Sequence, residues 1–186
     1  MADSYWMTPV GPFAPAIGAA FNTFTTRQDV STLPVPVILG NQLRVGSMVK
    51  IEAEGEFSTT GTPTLAIGVY FGAPGASGAP AAITTVIAES AAITTGSAAA
   101  SWPWRLEWRG KVVTMGTSGS VVGQGDLEFG TSLTAFSSNA IPATLALRTI
   151  VWDTTIARAV GVCATYGTSS ASNAIKTYAC TVALMN

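Results

Sequence analysis

The carboxylates of MVKIEAEGEFS are the first residues whose spacing suggests chemistry. Glu52, Glu54 and Glu56 alternate with Ile51, Ala53, Gly55 and Phe57. Alternate residues of a strand lie about 6.5 to 7 Å apart, within the separation used by the paired carboxyl groups of glycoside hydrolases. Those pairs face each other across a cleft and come from different segments. Three carboxylates in one row on one solvated face therefore read first as a solubilising stripe or as partners for cations. A calcium site built from them with Asp126 or Glu128 would need oxygen ligands converging from a loop, and no such loop motif is present.

Ser47 and Lys50 in SMVK match the S-x-x-K pattern of serine acyl-enzymes. That chemistry places both residues on one face of a helix and adds S-D-N and K-T-G motifs. Here the residues lead into a strand, and neither partner motif occurs. GSVVGQG has no basic residue and no following helix, so it reads as a turn rather than a phosphate loop. The chain contains no histidine, which removes Ser–His–Asp and Cys–His catalysis, the commonest zinc ligand and the usual pH switch. No catalytic residue, metal site or cofactor is expected.

Two cysteines, Cys163 and Cys180, fall on consecutive expected strands joined by GTSSASNA. A hairpin centred near Ala171 or Ser172 would set them opposite each other, making a disulfide geometrically possible. Two buried free thiols are the state expected for a cytosolic assembly.

SWPWRLEWRG, residues 101–110, brings three tryptophans and two arginines together. Trp104, Leu106 and Trp108 alternate with Arg105, Glu107 and Arg109, the pattern of a strand with one buried and one solvated face. A base-stacking platform needs exposed rings on a basic groove. With 9 basic and 10 acidic residues the chain has no basic field for phosphates, so no nucleic-acid partner is expected. Trp102, ahead of Pro103, is set apart from the alternation and is expected at a surface or interface.

The elements that must position these residues are strands. Apolar residues make up 48% of the chain and charged residues only 10%, against roughly 25% in an ordinary domain. Mean hydropathy is +0.41. So uncharged a surface calls either for a membrane or for cover by copies and partners. The charge-free interval between Glu56 and Glu89 is broken by glycines and prolines and never offers roughly 20 consecutive apolar residues. No membrane partner is expected. The opening MADSYWMTPVGPF lacks a basic start and an apolar run, so no secretory signal is expected, and the chain is expected to be made and used in the cytosol or to leave the cell by lysis.

Residues 1–36 carry five prolines and the aromatics Tyr5, Trp6, Phe13, Phe21 and Phe24 at no regular period. They are expected to form an extended N-terminal arm across their own domain or a neighbouring subunit. Trp6, Phe13, Phe21, Phe24 and Trp102 are the candidate interface residues, with capping of their own sandwich as the plain alternative for the arm aromatics. Residues 37–186 read as strands: MVKIEAEGEFS, TLAIGVYF, AITTVIAES, WRLEWRG, KVVTM, QGDLEFG, ATLALRTIVW, ARAVGVCATY and AIKTYACTVALM. Eight or nine strands with turn signals at short intervals predict an all-β fold, a single jelly-roll-like sandwich.

LRVGSMVKIEAEGEFSTTGTPTLAIGVYFG, residues 43–72, followed by WPWRLEWRGKVVTMGTSGSVVGQGDLEFG, residues 102–130, resembles small virion proteins of tailed bacteriophages. The resemblance implies a single jelly roll that assembles as a trimer and serves as a capsid decoration protein, head fibre or minor tail component. It implies the phage major capsid protein as partner and the capsid surface as location, and it carries over no catalytic residue. A receptor- or glycan-binding module of a head or tail fibre is the alternative it leaves, with Trp102 and the loops GAPGASGAP and GTSSASN as the site.

Overall fold

A computed structural model describes residues 7–10, 17–32, 34–75 and 82–185. Fourteen strands are present among them: β1 (Met7–Val10), β2 (Phe21–Asn22), β3 (Gln28–Asp29), β4 (Val37–Ile38), β5 (Met48–Ser58), β6 (Thr64–Gly72), β7 (Thr85–Glu89), β8 (Ile93–Thr94), β9 (Trp102–Thr114), β10 (Ser120–Gly130), β11 (Phe136–Ile141), β12 (Thr149–Val151), β13 (Arg158–Tyr166) and β14 (Ala174–Met185). One 3-10 turn, Leu145–Arg148, precedes β12. The fold is an all-β sandwich of two antiparallel sheets. The larger runs β1-β14-β5-β9-β10-β11, with β2 beside β14 and β12 beside β10; the smaller runs β3-β13-β6-β7, with β4 beside β13 and β8 beside β6.

Alternation explains the long strands. β5 buries Val49, Ile51, Ala53 and Phe57 and turns Lys50, Glu52, Glu54 and Glu56 outward. WRLEWRG and KVVTM form one continuous strand, β9, which buries Trp104, Leu106, Trp108 and Val112. Across the core Leu65, Ile67, Val69 and Phe71 of β6 and Val160, Val162, Ala164 and Tyr166 of β13 face them.

The tryptophans need glycine partners. A β-carbon on Gly55 would stand 2.8 Å from Cζ2 of Trp104, and one on Gly96 would stand 2.4 Å from Cζ3 of Trp102. Trp108 lies over two glycines, Gly110 of its own strand and Gly123 of β10, where added β-carbons would come within 2.0 and 2.2 Å of its ring. These glycines leave the room in which the indole rings lie against the strands.

The strand order does not itself establish a jelly roll. β5 pairs with β14 and β6 with β13, but β9 joins beside β5 and continues into β10 and β11 as a meander. ATLALRTIVW is not one strand: it splits into the 3-10 turn and the three-residue β12. β11, reading FSSNAI, had no apolar alternation to mark it. In the segment expected as an arm, β1 and β2 pair with β14 of the large sheet and β3 with β13 of the small one.

Candidate functional site

The three glutamates of β5 stand on the outer face of the large sheet, where Glu52 joins an ionic ladder. Lys50 reaches Glu52 at 2.9 Å and Glu107 at 3.5 Å, Arg109 reaches Glu107 at 2.6 Å, and Arg105 reaches Glu52 at 3.7 Å. The register sets Lys50 against Arg109, Glu52 against Glu107 and Glu54 against Arg105. Opposite charges therefore meet along each strand, Lys50 with Glu52 and Arg109 with Glu107, and diagonally between strands, Lys50 with Glu107 and Arg105 with Glu52. Ser47 is buried and its Oγ accepts from the backbone N–H of Arg44, while Lys50 points outward into the ladder. Serine and lysine thus lie on opposite sides of the strand. Among the described residues no group of three or more Cys, Asp or Glu side chains is gathered as a metal site.

Cys163 and Cys180 are buried free thiols. The hairpin expected to face them does not form, because β13 and β14 belong to different sheets. Residues 167–173 carry the chain from one sheet to the other, held by Asn173, whose amide donates to the carbonyl of Thr168 and whose Oδ1 accepts from the N–H of Thr60. Burial pushes the Cys180 thiol up to about 12, with a smaller push from Asp29. It also raises Cys163, with Glu89 adding to the shift and Arg27 opposing it. Neither thiol is a nucleophile at neutral pH.

Cys163 lies in a row that crosses the small sheet: Asp29, Cys163, Gly68 and Glu89 are successive register partners. Over this row Arg27 reaches from the β3 edge to the β7 edge, its Nε donating to Glu89 Oε1 at 3.0 Å and its Nη2 to Oε2 at 2.6 Å. The small residues in the row leave the guanidinium a flat path. Ser31 secures the same edge, donating to Asp29 Oδ1 at 2.5 Å and accepting from the N–H of Val162 at 2.8 Å.

The aromatic candidates are spread over the molecule. Phe24 lies in the chain's own core, its ring 5.3 Å from that of Tyr166, the position of the capping alternative. Phe21 sits in β2 at the margin of the large sheet, 36% exposed. Trp102 is not out of step with its strand. It continues the inward face of β9, half-buried between Gly96 and the ring of Phe57, whose centroid is 6.2 Å away edge-on. Trp6 and Phe13 lie outside the described residues, as does most of the loop GAPGASGAP.

A surface that the alternation only half reveals is built at one end of the sandwich. Here the β4–β5, β9–β10 and β12–β13 loops are tied together. Asn41 N–H donates to the Thr154 carbonyl at 2.7 Å, Thr154 N–H to the Gly116 carbonyl at 3.1 Å, Gly116 N–H to Thr154 Oγ1 at 2.9 Å, and Gly46 N–H to the Val112 carbonyl at 2.9 Å. Gly46 and Gly116 make these turns at φ of +94° and +106°, where a side chain would be strained. On this rigid frame stand Val45, Val113, Met115, Val122, Val151 and Ile156, all exposed, with Val45 and Val151 at 65% and 67%. Arg44, Lys111 and Arg148 surround them, and among the described residues none of the three has a carboxylate within salt-bridge reach. The signal was present in KVVTM: Val113 and Met115 follow Lys111 on the odd positions that are charged earlier in the strand.

Between this end and the ladder lies an open groove of about 930 Å³, whose polar lining includes Glu107, Arg109, Lys111, Gln124, Asp126 and Arg148. Its charges are of both signs and its floor is strand backbone. No protein-family model matches this chain, and no curated protein or solved structure matches it either.

Proposed function

We propose that this chain is a non-enzymatic structural protein of a bacteriophage virion, which decorates and stabilises the capsid by binding the major capsid lattice as an oligomer, a trimer being the expected state. The observation that carries the reading is a charge-poor sandwich with large apolar side chains uncovered on a rigid, hydrogen-bonded end. Exposed apolar clusters of this kind on a soluble fold mark contact surfaces. A preorganised frame reduces the ordering cost of binding, and repetition over a lattice multiplies weak contacts. The finer jelly-roll assignment belongs to the same reading and rests on the resemblance of residues 43–72 and 102–130 to phage virion proteins.

The test is binding of the purified chain to assembled shells and to free capsid subunits, followed by imaging of the decorated particle. Binding to shells alone, with density at fixed lattice positions and greater resistance of the shell to heat, is the expected result. Equal binding to free subunits, or shells equally robust without the chain, sets the reading aside.

One observation favours a second reading, a receptor- or glycan-binding module of a head or tail fibre. The open groove carries Lys111 and Arg148, neither in a salt bridge among the described residues, beside the polar side chains of Gln124, Glu107 and Asp126, donors and acceptors of the kind that bind a charged sugar. A glycan array without a sialylated or uronic-acid ligand removes it.

A further inference from the structure

The ends of the large sheet carry opposite unpaired charge. At the loop-built end stand Arg44, Lys111 and Arg148; at the other stand Glu54, Glu56 and Glu128, and no cation lies within 4 Å of any of these glutamates among the described residues. Counter-charges are present but outnumbered. Arg105 at the acidic end is drawn to Glu52, and Lys176 lies over the Tyr178 ring; Asp153 at the basic end is held by Thr155. Lys111 and Pro103, the latter opposite Glu56, are eight residues apart on β9, which is about 26 Å along a strand. That is roughly three Debye lengths at physiological salt, so the two ends do not neutralise each other within one molecule.

Both ends also expose apolar groups. The basic end has the cluster described above. The acidic end has Phe136, opposite Gly130 in register, and Leu133 in the β10–β11 turn, exposed at 51% and 65%. Each end thus offers what the other lacks in charge and matches it in apolar character.

We propose that the basic, apolar end of one copy seats on the acidic end of the large sheet in a second copy of this chain. The proposal rests on the oligomer in the functional reading above and names its contact. Lys111 and Arg148 meet Glu54, Glu56 and Glu128, and the valines around them cover Phe136 and Leu133. Complementary fields steer the encounter and fix its register, and burial of the apolar groups holds it. Two different patches meet, so the contact closes only where the rotation between copies allows it.

The test uses the full chain and sedimentation velocity at about 50 mM and about 500 mM salt, a range over which the screening length falls severalfold. The wild type associates, and more weakly at high salt. Lys111→Glu/Arg148→Glu and, separately, Glu54→Lys/Glu128→Lys each associate at least about tenfold more weakly, with unchanged circular dichroism because all four side chains are on the surface. The mixture of the two variants associates more tightly than either variant alone, since the ends match in every contact between unlike copies, while a ring of three keeps one mismatched contact. A monomeric wild type, variants that associate like the wild type, or a mixture no tighter than its components each overturn the proposal. So does capture of a monomeric wild type on anionic phosphatidylserine vesicles, which would assign the basic end to a lipid surface. The same variants are scored on shells. Charge-swap association lost with shell binding kept removes this contact and leaves the virion reading in place; association obeying the charge swap without shell binding does the reverse.

Discussion

Gly110→Ala tests how the core is built. Gly110 faces inward beneath the ring of Trp108, and a β-carbon there would stand 2.0, 2.7 and 2.8 Å from Cη2, Cζ2 and Cζ3 of that ring. Carbon atoms rest at about 3.5 to 4.0 Å, so the ring must move by more than about 1 Å. Sliding across the sheet is limited by the backbone of Gly123, over which the ring already lies so closely that an added β-carbon would stand 2.2 Å from Cζ2. The facing layer is filled by buried side chains of β6 and β13. The cost is expected at the upper end of overpacking, about 3 kcal/mol, which lowers Tm by roughly 6 to 12 °C for a chain of this size. Trp108→Leu alone leaves a void and costs roughly 3 kcal/mol. In the double variant the leucine has no atoms where the ring stood, so the methyl group added by Gly110→Ala fits. The pair should be little worse than Trp108→Leu, with a coupling of about 2 to 3 kcal/mol in its favour. Urea denaturation of all four proteins followed by far-UV circular dichroism measures the cycle. Additivity within about 0.5 kcal/mol, or a Gly110→Ala protein as stable as wild type, refutes the packing argument.

Stability should be flat between about pH 5.5 and 7, because the chain has no histidine, the side chain whose ordinary range falls there; a midpoint shift in urea across that range contradicts this. Both thiols are raised in the folded state, so the stabilisation they contribute is complete below the unfolded value of 9.0 and is lost as pH rises towards about 12 for Cys180. In that window each thiol should lower stability by about 1.4 kcal/mol per pH unit, and Cys180→Ala should flatten the slope of a pH series of denaturation curves. Phe24→Ala removes a core ring tilted against that of Tyr166 and should cost about 3 kcal/mol, whereas a ring serving only a neighbouring copy would leave the stability of the isolated chain unchanged. Glu89→Gln breaks the two-pronged contact from Arg27 at a partly exposed site, so the loss should be about 1 kcal/mol, read as a Tm shift of a few degrees that shrinks at high salt.

The long strands were legible because each buries one face. In β5 and β9 the buried parity is unbroken over many residues and the outward charges mark the solvated side, while in β14 it changes from odd to even positions at the bulge between Thr177 and Ala179. The two-residue strands β2, β3 and β4 carry no period at all; they exist because β13 and β14 offer free edges. β11 was missed because both its faces are largely polar or solvated. Pairing was harder to read than strand existence. Cys163 and Cys180 looked like hairpin partners because adjacent strands usually pair, but the loop between β13 and β14 passes over the end of the sandwich instead. The exposed valines escaped notice as a group because they come from three strands, β9, β10 and β12, and from the loop before β5, and sequence distance says nothing of that. Trp102 was misjudged through its proline neighbour: Pro103 is tolerated within β9, and the ring stays on the inward parity.

The segment holding β2, β3 and β4 has a mechanical consequence. Its strands pair with β14 through two residue pairs and with β13 through two short runs of two, with single backbone bonds at Gly18, Val30 and Pro36 and with Phe24, Val30 and Ile38 in the core, whereas β14 is flanked by β5 along nearly its whole length. A tether pulling on the amino end would load the four-residue β1–β14 ladder first and then these short contacts one after another. A tether on the carboxyl end would have to shear a full-length ladder all at once. Load entering through the two ends would be resisted unequally, and the strong direction is the one through β14.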